Sequence, residues 1–526
     1  MSKQNSMNQS ARQAALAALD GFEPAVTALI EYRSSGRVLV IANEEPGIFA
    51  ISCLSENLSG QLLQLDQASD PDHITIPAAG RKIEISGHLG NFTIHLGTRG
   101  DAAFQTLSAD LIVDLSDPPR LGMPIKPPGY IHAGTGLPEI ELAMAPLEDM
   151  VGTFEKPRFF DYDPDICAHG RAGQPGCNRC VEACPTDAIS ALAESIEVNP
   201  YHCQGGGICA VVCPSGAIRY AYPDLETQLN RVRRMLRIYR ENGGENPVVV
   251  FVADAETEAL SLADNMLPVA LEELASAGVE TWLSCMAYGA NQVILAGGSV
   301  PDSVKPWFDQ QFVLAEQILQ IAAIGDGRLQ RIEDPAAAHE AITPPEHDRR
   351  ATFGGMNDKR NMLFAAIGTL CNTDNSAHQL PAGSPLGRIH VDPESCTLCM
   401  ACTSVCPAGA VTAGGDSPAL LFFENNCVQC GICQNACPED AITLEARLNL
   451  NTAQRRAAMV VNEQPPFLCV NCGKAFATRK VIDAMLEKLS DHPMFAGERA
   501  RRRLMMCDDC RVVDVVQDDD MMNTLN

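Results

Sequence analysis

Cys396 to Pro407 read CTLCMACTSVCP, and Cys427 to Pro438 read CVQCGICQNACP. Each stretch is the run C-x2-C-x2-C-x3-C-P, and the pair decides the fold of this part of the chain. Three cysteines at this spacing on a tight loop wrap one face of an iron–sulfur cube, with backbone amides turned to the sulfurs. The fourth begins a helix that leads away, so it reaches a neighbouring cube. Proline at the next position suits a first helical turn, where its missing N–H costs little. A pair of zinc sites is the competing reading, but zinc has no use for this doubled order of eight thiols.

Residues 386–447 resemble the two-cluster bacterial ferredoxins. Besides the two runs, AGAVTA (408–413) and EDAITL (439–444) match that family's repeat of short helix into strand. The resemblance implies one [4Fe–4S] cluster on Cys396, Cys399, Cys402 and Cys437, and a second on Cys427, Cys430, Cys433 and Cys406.

Residues 151–223 resemble the same family with two departures. The first run, CAHGRAGQPGCNRCVEACP, carries Cys167, Cys177, Cys180 and Cys184, with nine residues instead of two after Cys167. The insertion is Gly-rich, so a looped-out chain can return Cys177 to its place. The second run, CQGGGICAVVCP, carries Cys203, Cys209 and Cys213, and Gly206 stands where the family has a cysteine. The crossed pattern implies a complete cluster on Cys167, Cys177, Cys180 and Cys213. It leaves Cys184, Cys203 and Cys209 one thiolate short. Three outcomes stay open there: a [3Fe–4S] cluster, a [4Fe–4S] cluster with a non-cysteine ligand or water, or no cluster. His169 and His202 are candidate replacement ligands, although each reads first as an ordinary loop histidine.

Residues 448–526 carry Cys469-Val-Asn-Cys472 and Cys507-Asp-Asp-Cys510, two C-x2-C knuckles separated by 34 residues. They read as one tetrahedral four-thiolate site of zinc-ribbon type, with zinc as the expected metal and a single rubredoxin-like iron as the alternative. A helix is expected over Val481–Leu489, the arginines of ERARRR (498–503) read as solvated, and the Asp518–Asp520 run reads as a disordered tail.

The other segments carry few cysteines. Residues 1–150 read as an α/β domain, with strands at RVLVIA (37–42) and LIVDL (111–115) and a hairpin in KIEISGHLGNFTIHLG (82–97). No GxGxxG or GxxxxGK[ST] accompanies them. Residues 224–330 begin with an Asp224-capped, arginine-rich helix. A small parallel module follows, with a strand at VVVFVAD (248–254), a helix near Leu267–Leu274 and further strands at Val279–Cys285 and Val293–Ala296. Residues 331–385 read as a linker with one short helix near Asp358–Leu370. The expected fold class is thus multidomain α/β and α+β, with two bacterial 2×[4Fe–4S] ferredoxin-like modules, small parallel α/β modules and C-terminal zinc-ribbon-like knuckles.

Composition narrows the function. The chain has 526 residues, 22 Cys and a formal net charge of −27. So acidic a surface repels nucleic acid and anionic membranes and suits partners with basic docking patches. No apolar run approaches the roughly 18 residues of a membrane span. Neither a signal peptide nor paired arginines open the chain, so the expected compartment is the cytoplasm, with thiols kept reduced for metals. The domain order resembles the bacterial cytoplasmic 4Fe–4S proteins that accompany formate dehydrogenases. Residues 248–298 faintly resemble the small iron–sulfur subunit shared by heterodisulfide reductases and hydrogenases, without its extra cysteines. The resemblance implies an electron carrier or accessory redox subunit rather than a stand-alone catalyst. It receives electrons from a redox donor and delivers them to an acceptor, with formate dehydrogenase a candidate partner. The alternative is an accessory factor in the assembly or activation of a molybdenum or tungsten formate dehydrogenase.

Overall fold

The RVLVIA stretch forms the centre of a five-stranded parallel sheet. Its order is Thr75–Pro77, Ser59–Gln64, Arg37–Ala42, Leu111–Asp114, Tyr130–His132. Every residue of Arg37–Ala42 except Arg37 is buried, as expected for a strand covered on both faces. The expected hairpin pairs Ile83–His88 with Asn91–Leu96, and Gln105–Ala109 adds a third strand. Its turn needs Gly90, at φ +81°, because a Cβ there would lie 1.8 Å from the Arg33 carbonyl oxygen. These coordinates are a computed structural model. It describes residues 3–518 except 20–23, 25–27, 67–74, 101–103, 299, 342–343, 345, 372–374, 416–417, 490–491 and 496. Of the Asp518–Asp520 run, only Asp518 falls within the described residues, and it pairs with Arg503.

The two cysteine-rich segments fold on one plan. In each, the first strand pairs antiparallel with the last: Phe160–Tyr162 with Ile218–Tyr220, and Gly387–Val391 with Ile442–Asn449. A short hairpin lies between them, Ile189–Ala191 with Ile196–Val198 in one and Val411–Ala413 with Ala419–Phe422 in the other. Two short helices follow the cysteine loops, Arg179–Ala183 and Ile208–Val212, then Ala401–Ser404 and Ile432–Asn435.

Between these modules lies a four-stranded parallel sheet, ordered Met266–Leu271, Val248–Ala253, Gln292–Ala296, Leu329–Ile332. Two sequence expectations change here. The Leu267–Leu274 stretch is mostly strand, not helix; Met266–Leu271 sits at the sheet edge, where Pro268 is tolerated. Val279–Ala287 is a helix, not a strand, so Cys285 is a fully buried helical thiol. Every residue of that helix is buried, which erases the amphipathic pattern by which a helix is recognised.

Residues 331–385 are more than a linker. The fourth strand runs to Ile332, and the Lys359–Leu370 helix, capped by Asp358, buries Met362, Leu363, Phe364, Ala366, Ile367 and Leu370. That helix packs against Val279–Ala287 in the largest hydrophobic core. The arginine-rich helix is Leu225–Glu241, with the Asp224 carboxylate accepting from the Thr227 N–H at 2.8 Å. Among the described residues, no helix is long and apolar enough to cross a membrane.

Candidate metal centres

The glycine-rich insertion after Cys167 closes into a tight hairpin, Gly170–Arg171 against Gln174–Pro175. Ala172 and Gly173 turn it with positive φ. The Cys177 N–H donates to the Ala168 carbonyl at 2.7 Å, which sets Cys177 back beside Cys167. Cys180 has its thiol pushed up by burial and then by the charges of Cys213, Cys177 and Cys167, so these four thiols share one locality. Cys209 is raised by burial and then by Cys203 and Cys184, which gathers the other three. Cys180 also acts on Cys209, so the two groups adjoin.

The second module repeats this arrangement with eight thiols. Burial raises Cys402 to about 12, with Cys399, Cys396 and Cys437 as its charged neighbours. Burial also raises Cys433, whose neighbours are Cys427, Cys430, Cys406 and then Cys402. Thiols this buried stay protonated at neutral pH unless cationic iron compensates their charge. The donor sets therefore fit the implied groups: three sets of four thiols and one of three.

The two modules differ in how the fourth sulfur of each run is held. The fourth cysteines of the second module accept from backbone N–H groups, Ala410 to Cys406 Sγ at 3.2 Å and Ala441 to Cys437 Sγ at 3.3 Å. In the first module the corresponding sulfurs lie beside hydroxyls two residues on. Thr186 Oγ1 is 3.4 Å from Cys184 Sγ, and Ser215 Oγ is 3.7 Å from Cys213 Sγ. The second module anchors the turn before Cys427 with a buried bidentate pair, Arg447 to Glu424 at 2.8 and 2.7 Å. The first places Lys156 beside its three-thiol site, with Nζ donating to the Cys203 carbonyl at 2.6 Å. Burial lowers this ammonium to about 8, while the Cys203 charge opposes the fall.

Neither candidate histidine reaches the incomplete site. His169 has Nδ1 3.1 Å from the Cys177 carbonyl oxygen and Nε2 3.0 Å from that of Leu192. His202 has Nε2 2.9 Å from the Gly87 carbonyl oxygen, in the N-terminal hairpin. Gly206 itself is unstrained: its φ lies outside the left-handed region, and a Cβ there would meet nothing within 4 Å. It lines a cavity of about 150 Å³ together with Cys184, Cys203, Cys209, Gln204 and Glu273.

The modules touch. Burial raises Cys430 to about 11, with Cys427, Cys406 and, from the other module, Cys177 as charged neighbours. Asn435 Nδ2 donates to the Pro175 carbonyl at 2.9 Å, and a Cβ on Gly176 would lie 2.6 Å from Ile432 Cγ1. Arg360, from the buried helix, donates to the carbonyls of Pro214, Pro385, Asn425 and Cys427 at 2.9–3.2 Å, which clamps the modules together.

Cys469 and Cys472 lie at the turn between strands Pro466–Leu468 and Ala475–Thr478, while Cys507 caps the helix Asp508–Val516. Their three sulfurs and that of Cys510 all lie within 4.8 Å of one another, and Cys472 Sγ is 3.6 Å from Cys507 Sγ. A tetrahedral thiolate site with metal–sulfur bonds of about 2.3 Å needs sulfurs about 3.8 Å apart, so the donors fit one metal ion. For Cys469, burial pushes the thiol up, but N–H bonds from Cys507, Cys472 and Asn471 outweigh it and bring it to about 6. The domain abuts the second module: Thr478 Oγ1 donates to the Thr397 carbonyl at 3.1 Å. The ERARRR arginines are only partly solvated, since Arg499 and Arg503 pair with Asp514 and Asp518.

Sequence reasoning missed Lys156, Glu273 and Arg360, which lie far along the chain from the cysteines they adjoin and belong to no motif. Thr186 and Ser215 were legible in principle, each two residues past a ligand-position cysteine.

Two family models cover the two cysteine-rich modules. Models of two families, each described as a 4Fe-4S dicluster domain, match residues 154–220 and 395–442. Hydrogenase-4 component A of Escherichia coli (strain K12) is 40% identical over 55 residues, which is 10% of this chain and 24% of that protein. The match thus spans about a quarter of the relative's length. A solved chain of the formate dehydrogenase–heterodisulfide reductase–formylmethanofuran dehydrogenase complex from Methanospirillum hungatei is 15% identical. That alignment covers 60% of this chain and 89% of the other at a TM-score of 0.19.

Proposed function

We propose that this ferredoxin-type iron–sulfur protein conducts single electrons along four sites in a row. The order is Cys184/Cys203/Cys209, then Cys167/Cys177/Cys180/Cys213, then Cys406/Cys427/Cys430/Cys433, then Cys396/Cys399/Cys402/Cys437. Contact between the Cys177 hairpin and the Cys430–Cys433 loop is the observation that carries this reading, because it joins two dicluster domains into one path. Bound clusters supply one-electron carriers whose potentials follow net charge, hydrogen bonds to sulfur and solvent exposure. The protein's part is to hold the thiolates, exclude water with apolar walls and fix the spacing. Ile389, Leu420, Phe422 and Ile442 wall the second module, and Phe160, Ile189, Ile196 and Ile218 wall the first. Arg360 fixes the spacing between them.

The four C-terminal thiols serve as a structural zinc site at the outer end of the row. Replacing Cys469 and Cys507 with Ser is expected to remove about one zinc per chain and leave iron unchanged, because each knuckle supplies half a tetrahedron. Unchanged zinc in elemental analysis refutes the shared site.

The partners are a redox donor and acceptor bearing basic patches, in a cytoplasmic formate dehydrogenase system. Potential-controlled titration of the anaerobically reconstituted chain should take up about four electrons. Uptake of two or fewer contradicts the row. Formate dehydrogenase that matures fully in cells lacking this chain excludes the alternative assembly role.

A further inference from the structure

The loop that lost its cysteine is pressed against a neighbour from outside the ferredoxin module. Gly207, at φ +70°, lies so close to the turn Leu274–Ser276 that a Cβ on it would stand 2.4 Å from Ser276 Cβ and 2.5 Å from Ser276 Cα. Only glycine permits that approach. The same turn begins at Glu273, which lines the cavity shared by Cys184, Cys203, Cys209 and Gly206. Among the described residues, Glu273 is the one ionisable side chain in that lining apart from the thiols.

We propose that Glu273 supplies a carboxylate oxygen as the fourth ligand of the iron–sulfur site that Cys184, Cys203 and Cys209 leave one thiolate short. The proposal rests on the reading above that these three thiols hold a cluster.

Three observations support the assignment. First, charge: a carboxylate carries the same single negative charge as the missing thiolate. The cluster's net charge therefore stays that of a complete site, whereas water at this corner would leave it one unit more positive. Second, competition: Thr186 sits on Cys184 Sγ, and both ring nitrogens of His169 face carbonyl oxygens, while Gln204, whose amide N–H turns to the Lys126 carbonyl at 2.8 Å, offers only an uncharged oxygen. Third, the state of Glu273 itself. It is half-buried, and no hydrogen bond or ion pair ties its carboxylate to another described residue. A carboxylate so placed gains from a nearby cation. Tyr220, whose hydroxyl donates to the Gly205 carbonyl at 3.0 Å, feels Glu272, Cys203, Glu273 and Cys209 together, so carboxylate and thiols surround one phenol.

The test uses the full chain, reconstituted anaerobically with iron and sulfide, then treated with ferricyanide. A cube with an unsupported corner releases one ferrous ion and gives one electron to ferricyanide. It ends as the [3Fe–4S] form, which is paramagnetic when oxidised and gives a near-isotropic signal. The wild type should retain about 16 irons and show no such signal. Glu273→Ala should lose about one iron and gain about one spin per chain. Adding Gly206→Cys to Glu273→Ala should restore the iron and abolish the signal. Reduced signals from the C-terminal module report, in every variant, whether the chain has folded. Glu273→Ala with unchanged iron and no signal overturns the proposal. So does a wild type that already carries the [3Fe–4S] signal, although three thiolates then still hold a cluster. If Cys203→Ser with Cys209→Ser removes no iron from the wild type, the underlying reading fails instead.

Discussion

The second run, Cys427-x2-Cys430-x2-Cys433, keeps three thiols on its loop, whereas Cys203 and Cys209 bracket Gly205-Gly206-Gly207. Both loops serve the same fold with the same strand pairing. In the second module backbone N–H groups meet the fourth sulfur of each run and an internal Glu424–Arg447 pair anchors the turn, to which Arg360 adds bonds at the Asn425 and Cys427 carbonyls. The first draws on its surroundings. Lys156 reaches the site from the strand Gly152–Pro157, which pairs with Leu29–Ser34 of the N-terminal domain, and Gly207 admits the turn of the parallel-sheet module. The difference teaches that, where the loop holds glycine in place of a third thiol, a neighbouring module packs against it.

The sharpest way to break this comparison is to count iron. Cys430→Ser with Cys433→Ser, and separately Cys203→Ser with Cys209→Ser, should each remove about four irons per chain. If only the first pair does so, the incomplete site holds no cluster and the modules differ in number of centres rather than in ligand.

The contact between the modules comes next. Arg360→Met strips four main-chain carbonyls of a charged donor and should lower stability by about 3 kcal/mol, read as a fall in thermal midpoint of the reconstituted chain. Arg360→Lys should not rescue it, because an ammonium lacks the planar fork that reaches four acceptors. Full rescue by lysine shows that charge alone joins the modules.

Adjacent glycines give a smaller contrast. Gly207→Ala places a Cβ against Ser276 at positive φ and should cost about 2 kcal/mol. Gly206→Ala meets open space at ordinary φ and should shift stability by less than about 1 kcal/mol. Equal costs in thermal unfolding contradict the close packing of this loop on the parallel-sheet module. A single charge gives the last contrast: Lys156→Met removes a positive charge beside Cys203 and should lower the potential of that site by about 60 mV, or ~1.4 kcal/mol. A matching shift in the C-terminal module's potentials shows instead a general loss of packing.

Much of this was legible in the chain itself. The doubled cysteine runs, the returning loop at Cys177 and the paired knuckles depend on local spacing, which sequence displays directly. RVLVIA and VVVFVAD were legible as buried parallel strands because their apolar runs are continuous. Val279–Ala287 was misread because burial on all sides removes the period that separates helix from strand, and Met266–Leu271 because its short apolar run reads equally as either. The core role of Lys359–Leu370 was hidden by the Pro- and Gly-rich chain around it. Arg360, Lys156 and Glu273 act across long sequence separations, and single residues carry no periodic signal.

Magnetic coupling across the contact between Cys177 and Cys430 is the most direct test of the row. The fully reduced chain, examined by electron paramagnetic resonance, should give a broadened spectrum in which neighbouring reduced clusters interact. Cys430→Ser with Cys433→Ser should interrupt it, narrowing the signal of the Cys396/Cys399/Cys402/Cys437 site, which loses its neighbour, while the two adjoining sites of the first module stay coupled to each other. A wild-type spectrum that is already the sum of independent narrow signals, with that variant changing only the number of spins, contradicts a continuous path through the two modules.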